Sequence, residues 1–96
     1  MQSVDVWVVD QRLGQGGIGT VYRCHNRHAP RIRAAVKLLS PSLAVSAEVR
    51  RRFVREAELL FQLDHPNIVK VRNIRMDHEP PFIEMAFVEG LSLIHI

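Results

Sequence analysis

Gly14-Gln15-Gly16-Gly17-Ile18-Gly19-Thr20-Val21 spaces glycines so that backbone amides can approach phosphate oxygens with no Cβ in the way. Ala35-Val36-Lys37 follows at strand-to-strand distance. A lysine there adds a compact positive charge on the same phosphates. The chemistry these residue types can perform together is clamping a nucleotide triphosphate.

The three glycines alone do not decide the fold, because dinucleotide-binding folds use the same spacing ahead of a helix. Here Thr20-Val21-Tyr22-Arg23-Cys24 follows Gly19, and its β-branched and aromatic residues favour a strand. The loop therefore caps a β-hairpin. Val6 to Leu13 is expected as the first strand, Thr20 to His25 as the second and Arg33 to Leu39 as the third, with Ser40-Pro41-Ser42 stopping it. Ser46 is expected to cap a helix that carries Glu48 in its first turn. Val49, Phe53, Ala57, Leu60 and Leu63 recur at helical spacing, and Pro66 ends the helix near Asp64-His65. Ile68 to Arg75 and Phe82 to Phe87 read as fourth and fifth strands around an Asp77–Pro81 turn. Short turns imply an antiparallel sheet with the helix on one face, an α+β domain of five strands.

Ninety-six residues hold one small domain. A net charge of +3 is a solvated surface rather than a nucleic-acid footprint, and too few aromatics are present for base stacking. Arg50, Arg51, Arg52 and Arg55 are read as a solvated basic face. Cys24 is the only cysteine, so there is no internal disulfide and no cysteine-based metal cluster, which fits a reducing compartment. The five histidines lack ligand spacing, and no metal site is expected. No apolar run approaches the roughly 18 residues of a membrane span, and the N-terminus does not read as a signal peptide.

Five motifs occur in an order that resembles the amino-terminal lobe of eukaryotic-type protein kinases, most closely the bacterial serine/threonine kinases. They are the Gly14–Val21 loop, Ala35-Val36-Lys37, Phe53-Val54-Arg55-Glu56-Ala57, His65-Pro66-Asn67-Ile68-Val69 and Met85-Ala86-Phe87-Val88-Glu89-Gly90. The resemblance implies catalytic roles for Lys37, on the α- and β-phosphates of ATP, and for Glu56, which orients that lysine. It implies nucleotide contacts from Leu13, Gly14, Gly16, Gly17, Gly19, Val21 and Ala35. It aligns Met85 with the gatekeeper and Ala86, Phe87 and Val88 with the hinge. Ala86 stands where an acidic residue is common, but that contact uses the main-chain carbonyl. Leu60 and Val71 align with two residues of the regulatory spine, and Arg52 with a helix position that can face the activation segment.

The resemblance covers residues 7–90 as a kinase amino lobe, with residues 91–96 a tail of doubtful origin that is assigned no function. No His-Arg-Asp or Asp-Phe-Gly string occurs. The expectation is an inactive fragment, lacking the carboxyl lobe, of a serine/threonine kinase that transfers the ATP γ-phosphate to protein hydroxyls, with Mg²⁺ held by the missing lobe. The expected partners are ATP and protein substrates, without nucleic acid or a membrane segment, in the cytoplasm; an anchor elsewhere in the parent is compatible with this. The alternative is a pseudokinase lobe that binds nucleotide or a partner without catalysis.

Overall fold

A computed structural model describes residues 2–62 and 70–86. In chain order the elements are β1 (Ser3–Val4), β2 (Trp7–Gln15), β3 (Gly19–Asn26), β4 (Arg33–Leu39), α1 (Ala47–Gln62), β5 (Val71–Arg75) and β6 (Phe82–Ala86). The strands form one antiparallel sheet in the order β1-β2-β3-β4-β6-β5.

The sheet has six strands among the described residues, where the sequence reading has five. The additional strand is β1, which pairs Ser3 with Val8 and Val4 with Trp7. Asp5 in the connection sits at φ 55°, a left-handed conformation that aspartate tolerates better than most side chains. A two-residue strand carries no measurable periodicity, so nothing in the sequence announces it.

The helix begins where its cap predicts. The Val49 N–H donates to Ser46 Oγ at 3.3 Å, and the Arg50 N–H donates to Ser46 O at 3.0 Å. Phe53 and Ala57 are fully buried, with Val49 and Leu60 packed beside them. Leu63, His65-Pro66-Asn67-Ile68-Val69, Phe87, Val88, Gly90 and the tail at 91–96 lie outside the described residues.

β4 organises two cores, because successive strand residues face opposite sides. Ala35 and Leu39 join Val21, Phe53, Ala57, Val71, Ile83 and Met85 in the inner cluster, beneath α1. Ala34 and Val36 join Val4, Trp7, Cys24 and Phe82 in the outer cluster. The outer cluster is closed by polar contacts across the sheet. Trp7 Nε1–H donates to Glu84 Oε1 at 2.9 Å. Arg75 reaches Asp5 at 3.3 Å and Asp77 at 3.0 Å. Hydrogen bonding and charge from Arg75 hold the Asp77 carboxyl below its usual range.

Candidate functional site

The ladder sets the site's layout. Gly14 pairs with Val21, Val21 with Lys37, and Lys37 with Ile83, giving one row across four strands. A second row runs through Arg23, Ala35, Met85 and Val71. Ala35 and Lys37 are two residues apart on one strand, so both side chains project to the inner face, about 7 Å apart along β4.

A register shift between Arg12 and Gly14 releases Leu13 from the ladder, and its side chain packs on the inner cluster. Leu13, Val21, Ala35 and Met85 thereby line a single apolar surface. The lysine stands beside it.

Lys37 is 3% exposed, the one charged side chain among the buried residues described. Its ammonium donates to Glu56 Oε1 from α1. A buried ammonium needs an acceptor, and the helix supplies one at the position facing β4. Phe53 and Ala57 sit on the same helix, one turn before and one residue after Glu56, so the apolar stripe that seats the helix also aims the carboxylate.

The glycine loop is a tight hairpin tip. Gln15 closes the β2 side of the hairpin, one residue after Gly14, and Gly19 opens β3. The Gly16 N–H donates to Gly19 O at 2.8 Å. A Cβ on Gly19 would meet Leu38 O at 2.7 Å, so glycine there permits the close approach of β3 to β4. A Cβ on Gly17 would meet nothing within 4 Å. A cavity of about 170 Å³ adjoins the loop, with Gly16, Gly17, Thr20, Tyr22 and Ser40 in its wall.

The Ala86 N–H donates to Lys70 O at 2.8 Å, which fixes the end of β6 against the residue preceding β5. Val88, the remaining nucleotide-contact candidate, lies outside the described residues. Leu60 packs against the cluster that contains Val71. Arg51, Arg52 and Arg55 are exposed, as the solvated face requires, but Arg50 is not part of it. Its guanidinium donates to Ala44 O at 3.1 Å and to Met76 O at 3.3 Å. Single-residue spacing could not separate Arg50 from its neighbours, because its two shorter bonds go to backbone carbonyls that carry no sequence signal. Ile18 is the other residue that motif reasoning passed over: it is half-buried and packs on the inner cluster from the loop tip.

Comparison with known proteins accounts for this layout. The family model for the protein kinase domain matches residues 7–96. The chain belongs to the protein kinase domain family. It is 39% identical over 84 residues to the serine/threonine-protein kinase PknD of Chlamydia muridarum, covering 88% of this chain and 9% of that protein. It is 43% identical over 82 residues to the serine/threonine-protein kinase PknJ of Mycobacterium bovis, covering 85% of this chain and 14% of that protein. The crystal structure of the Mycobacterium tuberculosis PknI kinase domain superposes with a TM-score of 0.62 at 33% identity, over 93% of this chain and 36% of that one. The chain thus spans about a tenth of the length of these curated relatives. The relatives are bacterial serine/threonine kinases, and the sheet with α1 packed on it is the amino lobe of the kinase fold. Among the described residues, no helix is long and apolar enough to cross a membrane, and no group of three acidic, histidine or cysteine side chains is placed to hold a metal ion.

Proposed function

We propose that the chain, over residues 7–90, is the ATP-binding amino lobe of a serine/threonine protein kinase, whose complete form transfers the γ-phosphate to protein hydroxyls in the cytoplasm. The observation that carries this reading is the buried Lys37 held by Glu56 beside the apolar surface of Leu13, Val21, Ala35 and Met85.

In this reading the apolar surface receives the adenine ring, since a flat base needs apolar walls and Ala35 leaves room for it. Main-chain groups of Ala86 and Val88 take the polar edge of the base. Backbone amides of the loop from Gly14 to Gly19 cover the phosphates. Lys37 places its charge on them, and Glu56 keeps that charge in position as the phosphate negative charge redistributes. Glu56 is therefore an orienting group and Lys37 the one that touches the nucleotide.

Mg²⁺ is the ion that would shield the phosphates when bound. The described residues offer it no ligand set, and its ligands are assigned to the carboxyl lobe of the complete protein. The catalytic base is assigned to the same lobe, so the 96 residues alone are proposed to bind ATP without transferring phosphate.

The test compares the complete gene product with its Lys37→Met variant. The lysine's charge matters most in the transition state, whereas adenine affinity comes from the apolar walls. Phosphoryl transfer should therefore fall by at least about 100-fold while nucleotide Kd changes by less than about tenfold. An unchanged kcat would remove Lys37 from the mechanism. Nucleotide binding without transfer by the unmodified protein would instead identify a pseudokinase lobe.

A further inference from the structure

The tip of the glycine loop and the start of α1 are joined by a continuous run of bonds. The Ser40 N–H donates to Ile18 O at 2.9 Å. Ser40 O in turn accepts from the Leu43 N–H at 3.0 Å and the Ala44 N–H at 2.9 Å. Ala44 O accepts from Arg50 Nη1 at 3.1 Å, and Arg50 Nη2 donates to Met76 O at 3.3 Å in the β5–β6 connection. Glu79 stands at 3.5 Å from the same guanidinium. An apolar contact runs in parallel, since Ile18 packs on the cluster that holds Ala44 and Phe53.

We propose that Arg50 is a positioning residue that yokes α1 to the glycine-loop tip, so that closure of the loop over a nucleotide is transmitted to the helix that carries Glu56. The inference rests on the ATP-binding reading of the site. Its physical basis is the shape of the guanidinium. A planar fork bonds two carbonyls from different segments at a fixed angle, while an ammonium on a flexible stem cannot hold both in register. The fork joins the turn after β4, the first turn of the helix and the β5–β6 connection. Any displacement of Ile18 that moves Ser40 then moves Ala44, and with it the guanidinium and the helix end. Glu56 lies six positions after Arg50 on α1, under two turns, so a shift of one is felt at the other.

The test is amide hydrogen exchange on the complete gene product, with and without a non-hydrolysable ATP analogue and Mg²⁺. In the unmodified protein the analogue should slow exchange in both the loop and α1, the latter by about tenfold, a coupling of ordinary size. In Arg50→Lys the loop should still be protected, while the α1 response falls below about twofold. A residue that merely stabilised the helix would raise α1 exchange equally with and without nucleotide, leaving the response intact; that result overturns the proposal. Should Arg50→Lys lower Tm enough to obscure the comparison, Ile18→Ser tests the other end, and an α1 response as large as in the unmodified protein would overturn it. No protection of the loop in the unmodified protein overturns the ATP-binding reading itself, and the coupling with it.

Discussion

Lys37 leaves 4% of its side chain to solvent, while its partner Glu56 leaves 37%. The two ends of the pair are therefore unequal. Removing Glu56 strands a buried ammonium; removing Lys37 leaves a carboxylate that water can reach.

Opposite effects on stability are expected for the two substitutions in the 96-residue chain. Glu56→Ala should destabilise it by about 1–3 kcal/mol, less than the roughly 3–5 of a fully enclosed pair because solvent compensates in part. Lys37→Met should be neutral or stabilising by up to about 2 kcal/mol, since a thioether fills the same space without the desolvation cost. Urea midpoints at constant m-value check this; equal losses would mean the pair acts symmetrically.

Two loop glycines should respond differently to alanine. Gly19→Ala brings a methyl group against Leu38 O, within 2.7 Å, and the backbone of β4 must move. A loss of about 1–3 kcal/mol is expected. Gly17→Ala faces open space and should stay within about 0.5 kcal/mol of the parent. Thermal unfolding of both variants decides it, and a Gly17 loss as large as that at Gly19 would contradict the packing described.

Burial, reinforced by Asp10, pushes the Cys24 thiol up to about 12 from its usual 9. The folded chain then holds a proton that the unfolded chain releases between those values, so stability falls as pH rises through this window. The slope from this one group is at most about 1.4 kcal/mol per pH unit. The Cys24→Ala variant should lose that share of the alkaline decline. Thiol reagents at pH 8 should label the native chain far more slowly than the unfolded one. Equal labelling rates would show that the outer cluster does not shield the sulfur.

Leu59 and Phe61 are 56% and 71% exposed on α1. Two positions apart, they lie about 200° from each other around the helix, so each offers a second chain its own apolar contact. The 96-residue chain should sediment as concentration-dependent oligomers, and Leu59→Lys with Phe61→Glu should shift it toward monomer without lowering Tm. A parent chain that is monomeric at every concentration would rule this out.

The parts of the fold most legible in the sequence were those that combined two independent signals. Ser46 announced α1 through both its cap chemistry and the Phe53–Ala57–Leu60 spacing that follows. Lys37 and Glu56 were legible as a pair because each sat in its own motif. β4 was legible as a strand but not as a divider. Ala34, Val36 and Leu38 are apolar, and so are Ala35 and Leu39, so the run shows no alternation to reveal that each set faces a different core. Trp7 could be placed in a strand, whereas its bond to Glu84 spans 77 residues and depends on how the sheet curls. The roles of Arg50 and Ile18 were hidden for a related reason: their partners are carbonyl groups and a cluster assembled from distant segments.

The family match starts at residue 7, but the folded unit starts earlier. Val4 belongs to the outer cluster with Phe82 and Val36, and Asp5 holds Arg75 from the opposite end of the sheet. Cloning limits drawn at the homology border would amputate both. A gene trimmed to begin at Trp7 should express a protein with bare apolar surface over β4 and β6, and with Arg75 on β5 left to Asp77 alone. The first six codons, which homology alone would mark as dispensable, encode part of the lobe's outer core.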